Sequence, residues 1–148
     1  MLKMFDYPPV WLVGALGLAR AEVWALGRGY DLPAVTMLGN LLFWTGLAIL
    51  GLAALSFLRA RTTIVPHRDP DALITTGLYR LSRNPIYLAD LLILGGLALV
   101  WGSVAGLVLV PVLGRILTQR FIRPEEARLR AGFGAEADAY FARSRRWL

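Results

Sequence analysis

The chain has 148 residues, 57% of them hydrophobic, and carries a net charge of +6, which is more apolar side chain than one soluble core of this size needs and points into a bilayer. The absence of cysteine removes disulfides, thiolate metal sites and cysteine nucleophiles, and one histidine, His67, does not make a metal centre. The basic residues stand beside uncharged runs rather than in a soluble basic face, so anionic lipid headgroups are the expected partners and nucleic acid is not.

Met1 to Pro9 is not followed by a small-residue cleavage site, so the first apolar segment is expected to stay in the protein. That segment, about 10–26, is interrupted near one end by Arg20 and Glu22, whose long side chains reach an interface; Trp11 and Trp24 then lie near opposite surfaces. Val35 to Leu58 has no charge and gives about 36 Å of helix, enough to cross a hydrocarbon core of about 30 Å. The apolar run from Ile86 to Leu117 is too long for one span. Gly102-Ser103 divides it into a tight hairpin of two helices, about 85–101 and 103–119, with Pro111 expected to kink the second.

Charge supports the division. With four spans, the amino terminus, the loop 59–84 and the tail 120–148 share one side, and that side holds Lys3, five loop arginines and eight arginines from Arg115 onward. Arg20 and Arg28 are left opposite, as the positive-inside rule requires for a cytoplasmic loop and tail. The tail reads as helical up to Gly132-Phe133-Gly134, with a second short helix from about Ala135 to Arg143. Tyr140, Phe141 and Trp147, beside Arg143, Arg145 and Arg146, suit a segment lying on the headgroups. The expectation is an all-α integral membrane protein of about four transmembrane helices, plus C-terminal cytoplasmic helices, forming one domain over 1–148.

The loop carries the chemistry. Asn84-Pro85 is a helix start, with asparagine at the N-cap and proline at the first helical position, and a free helix N-terminus attracts a carboxylate or phosphate. Arg83 adds positive charge there, while Tyr79 and Tyr87 add aromatic faces suited to an adenine ring or a sulfonium. An ordinary interfacial helix cap would carry the same residues. Asp90, one turn into the third span and on the side of Tyr87, is an intramembrane acid; it either holds a substrate amine or pairs with an arginine such as Arg115. His67 reads as a loop residue.

The run Thr76-Gly-Leu-Tyr79…Arg83-Asn-Pro-Ile-Tyr87, then a helical hairpin, then Glu125-Glu126…Phe133-Gly134…Tyr140, resembles the isoprenylcysteine carboxyl methyltransferase family and its phospholipid methyltransferase relatives, over roughly Val65 to the carboxyl terminus. The resemblance implies an enzyme that methylates a lipophilic, membrane-embedded acceptor, an isoprenoid or lipid carboxylate or a phospholipid amine. S-adenosylmethionine (SAM) is the implied donor and S-adenosylhomocysteine (SAH) the product. It implies that Asp71, Ala72, Leu73, Ile74, Tyr79, Arg83, Asn84, Pro85, Ile86, Tyr87 and Glu125 line the cofactor site. Glu126, Arg123, Arg120 and Asp90 are the candidates for the reacting end. Asn84 stands where the family has histidine and cannot carry a proton, so no general base is assigned to it. Phe121 stands where the prenylcysteine enzymes have an arginine for the substrate carboxylate; Arg120 and Arg123 flank it. The expected location is a bacterial inner (plasma) membrane with both termini cytoplasmic, membrane lipids as partners and no obligate protein partner. The rival readings are an NADPH-dependent reductase of the sterol reductase type, with Asp90 as its acid, and a non-enzymatic membrane scaffold.

Overall fold

The computed structural model describes residues 7–60 and 73–148, and the protein is an all-α integral membrane protein. Helix α1 (Pro8–Leu26) begins on two prolines, which fit the first turn because no intrahelical partner awaits their nitrogens. Helix α2 (Pro33–Ala60) also begins on proline. A 3₁₀ turn (Gly77–Arg80) leads to α3 (Pro85–Trp101), and α4 (Val104–Leu117) continues through Pro111 and a π-helical turn (Thr118–Ile122) into α5 (Arg123–Phe133). Gly134, with a positive φ of 51°, ends α5, and α6 (Ala135–Arg143) follows. The helices α1, α2 and the continuous run from α4 into α5 are long and apolar enough to cross a membrane; α3, at 17 residues, is shorter.

α3 packs against α1, α2 and α4. On α2 the buried positions are Gly39, Gly46 and Ala53, every seventh residue, and they bring the two backbones together. A Cβ on Gly96 of α3 would lie 2.6 Å from the Phe43 nitrogen and 2.7 Å from the Gly39 oxygen, so glycine is required at this crossing. Between membrane helices small residues of this kind permit the close packing that drives association. The opposite faces carry exposed Leu38, Leu41, Trp44, Leu52 and Leu55 on α2, and Val13 and Leu18 on α1, as a surface in contact with acyl chains does.

The far end of α3 is closed by the α1–α2 connection. The last carbonyls of a helix lack intrahelical partners, and here Tyr30 donates to Ala98 O, Arg28 to Val100 O and the Gly29 amide to Gly102 O. Gly102 adopts a left-handed conformation at the hairpin, and Ser103 caps α4 by accepting from the Gly106 amide at 2.8 Å. Glu22 of α1 completes that cap by accepting from the Ser103 hydroxyl and the Ala105 amide. Arg20 and Glu22, an interruption of the first apolar segment in the sequence, thus have work at this end: Arg20 lies over the Trp101 ring.

Candidate functional site

At the other end of α3, the loop 73–84, the π turn, α5 and the carboxyl-terminal residues converge on its first turn. The π turn rotates Phe121 and Ile122 inward, and both are buried. π turns are frequent at functional sites because they re-aim side chains without ending the helix. Phe121 lies 6.4 Å, ring to ring, from Tyr87 and belongs to a cluster with Leu94, Leu113 and Leu117; Trp11, Leu91 and Trp147 pack on its margin.

The two motifs are joined by a triad, one buried carboxylate held between two partly exposed arginines. Glu126, 5% exposed, accepts from Arg83 Nε at 3.2 Å and from Arg146 at 3.0 and 2.7 Å. Burial alone would push this carboxyl up, but the hydrogen bonds and charges of Arg146 and Arg83 outweigh it and hold the group below the usual carboxylate range. The same pairing raises the Arg146 guanidinium above its ordinary value. Arg83 also donates to the carbonyls of Phe141 at 3.0 Å and Ser144 at 2.7 Å, so it caps the end of α6 while stacking on the Phe141 ring.

The extended residues after α6 form a strap over the loop. Ser82 and Arg145 make a parallel bridge, with the Arg83 amide donating to Arg145 O at 2.8 Å. Asn84 does not cap α3 with its side chain; its amide Nδ2 donates instead to Arg146 O at 2.8 Å, while its backbone N–H is held by Ser82 Oγ. Pro85 takes the first helical position. The Tyr140 hydroxyl donates to Tyr79 O at 2.7 Å, and burial pushes its pKa up to about 12. The tail aromatics expected on the headgroups therefore face the protein. Tyr140 is buried, Phe141 lies between Arg83 and Arg130, and Trp147 packs on the core.

Beside the triad lies a second acidic position. Tyr87 donates to Glu125 at 3.2 Å, and the Tyr79 hydroxyl is raised by burial first and then by the charge of Glu125. Glu125, Tyr79 and Tyr87 thus form one group at the start of α3. A carboxylate with aromatic neighbours of this kind could hold a cation such as an ammonium.

Of the other residues singled out from the sequence, Leu73, Ile74 and Ile86 pack around Tyr79, Tyr140 and Ala53. Arg120 lies over the Trp11 ring, Arg123 is exposed at the start of α5, and Asp90 is buried within α3. Asp71, Ala72 and His67 lie outside the described residues. Arg115 is exposed, and no ion pair links it to Asp90. Sequence reasoning missed Ser82, Ser144 and Arg146, whose signal is only tertiary. An open cleft of about 740 Å³ is bounded by Thr75 to Gly77, Arg80, Leu81, Tyr140 and Arg143, and none of the expected site residues lines it. Its size suits a small molecule. The acid and aromatic groups, however, are at Tyr87 and Glu125.

Residues 34–136 match the phospholipid methyltransferase family. No curated protein and no solved structure matches the chain.

Proposed function

The chain belongs to the phospholipid methyltransferase family, and from that premise we propose that it is a SAM-dependent methyltransferase acting on a lipophilic acceptor held in the membrane. The observation that carries the reading is the convergence, at the start of α3, of the Arg83-Asn84-Pro85-Ile86-Tyr87 segment with Glu125-Glu126 through the Tyr87–Glu125 and Arg83–Glu126 contacts.

When bound, SAM supplies an electrophilic methyl group on a sulfonium. In-line transfer asks the protein chiefly to align the partners and exclude water. Glu125 would hold the ammonium, the first turn of α3 the carboxylate, and Tyr79, Tyr87 and Phe121 the apolar and aromatic boundary. Glu126 acts through Arg83 and Arg146, fixing the loop and strap around that boundary.

In this reading α3 crosses as a fourth span, and the arginine excess puts loop and tail on the cytoplasmic face of a bacterial plasma membrane, where SAM is available. The acceptor arrives from the lipid. Calorimetry on the purified protein tests the proposal with SAH and NADPH as ligands. SAH binding is expected, with affinity lost in Glu125→Ala and Tyr87→Ala while both variants stay folded in detergent. Unchanged SAH affinity in both variants overturns the site, and binding of NADPH without SAH overturns the reaction class.

A further inference from the structure

Asp90, a buried residue, and the indole of Trp11 have no hydrogen-bond partner among the described residues. Asp90 is 6% exposed and makes neither a hydrogen bond nor an ion pair there; the indole Nε1 of Trp11 is enclosed without an acceptor. Asp90 follows Tyr87 by three residues and precedes Leu94 by four, so the three share one side of α3. Tyr87 and Leu94 belong to the cluster on which Trp11 packs, and Asp90 is within electrostatic reach of the Tyr87 hydroxyl. Asp90 by helical spacing and Trp11 by packing are therefore both associated with Tyr87, the partner of Glu125.

A carboxylate in an apolar interior is costly unless something donates to it. Among the described residues none donates to Asp90. Arg83 is engaged by Glu126 and two carbonyls, Arg120 lies over the face of the Trp11 ring, and Arg115 is exposed. Phe121 puts a ring, rather than a cation, beside Tyr87. Helices α1 and α2 both pack on α3 with little contact between them.

Resting on the methyltransferase reading, we propose that Asp90 and the Trp11 indole form the acceptor subsite, and that Asp90 takes the proton from a lipid nucleophile bearing an N–H or O–H group. The nucleophile's lone pair bonds the methyl carbon as the methyl–sulfur bond of the sulfonium donor breaks, the bonding pair remaining on sulfur. The proton of the methylated nitrogen or oxygen passes to a carboxylate oxygen of Asp90 and later to water. Trp11 Nε1 donates to a neighbouring oxygen of the headgroup. A carboxylate acceptor has no proton to give and meets Asp90 as a like charge, so the subsite rejects it.

The test uses the full chain in phosphatidylcholine nanodiscs. Binding of phosphatidylethanolamine and of a long-chain alkylphenol is read from tryptophan emission without methyl donor, and SAH affinity is read by calorimetry. Asp90→Asn is expected to weaken one of the two probes by about tenfold or more, the loss of one charge-assisted hydrogen bond, while its SAH affinity stays within about twofold and reports an intact fold. Trp11→Phe weakens the same probe, and methyl-labelled SAM labels that lipid and leaves oleic acid unlabelled. Full affinity of Asp90→Asn for both probes overturns the proposal, as does label on oleic acid. Failure of the unsubstituted protein to bind SAH overturns the methyltransferase reading instead.

Discussion

Removing Arg146 tests the strap most directly. Arg146 makes two charge-assisted bonds to Glu126, and hydrogen bonds to charged groups contribute roughly 1.5–3 kcal/mol. Two features reduce the figure for Arg146→Gln. Its side chain is 38% exposed, so solvent screens the pair, and Glu126 keeps Arg83 at 3.2 Å, so no carboxylate is left bare. About 2 kcal/mol of local stability is the expected loss, equivalent to an opening about 30-fold more frequent. Glu126→Gln should cost more, because it discharges two guanidinium pairs at once. Hydrogen exchange followed by mass spectrometry reads the effect in peptides covering 81–84 and 144–148, whose amides pair across the strap. Protection of the distant Gly29 and Ala105 amides, bonded to Gly102 O and Glu22, should not change. Equal protection in Arg146→Gln and the unsubstituted protein, or an equal loss at both ends of α3, would refute the reasoning.

Two further outcomes follow from the same geometry. Gly96→Ala forces a Cβ to within 3 Å of backbone atoms of α2 and should destabilise the protein by about 1–3 kcal/mol, whereas Gly51→Ala, with open space around its Cβ, should not; thermal unfolding followed by tryptophan fluorescence compares them. Because the carboxyl of Glu126 is held below its ordinary range, its contribution to stability is fully present above the unfolded value near pH ~4.3 and is lost as pH falls through the lower folded value. The melting temperatures of the unsubstituted protein and Glu126→Gln should therefore differ at neutral pH and converge only below about pH 4. Convergence already at pH 6 would contradict the pairing.

The sequence was most informative where structure is set locally. Asn84-Pro85, Gly102-Ser103 and Gly134 mark helix ends because proline, glycine and serine act on the adjoining turn itself, and the described helices begin and end there. The Glu-Glu pair and the Arg83–Tyr87 segment were also legible as motifs. Their division of labour was not. Two adjacent glutamates differ by about 100° around a helix, and only the fold decides that Glu126 turns to Arg83 and Arg146 while Glu125 turns to Tyr87. The strap was illegible for a related reason. Arg146 lies 62 residues from Asn84, and an arginine-rich, aromatic end has the same composition whether it rests on lipid or folds back over a loop.

The triad also explains how a strongly basic end of the protein can present an acidic site. Arg83 and Arg146 would attract anions if exposed, but Glu126 and the carbonyls of Phe141 and Ser144 take up their donors. Beside Tyr87 stand the carboxyl of Glu125, which accepts from its hydroxyl, the buried Asp90 and the ring of Phe121. Carboxylates and aromatic faces favour positive charge, and their effect strengthens where water is excluded. A sulfonium donor bears such a charge before transfer and disperses it as the methyl moves. The clamp thus does more than fasten the tail: by pairing Arg83 and Arg146 with Glu126 it keeps two cations engaged beside the start of α3, where the proposed chemistry takes place.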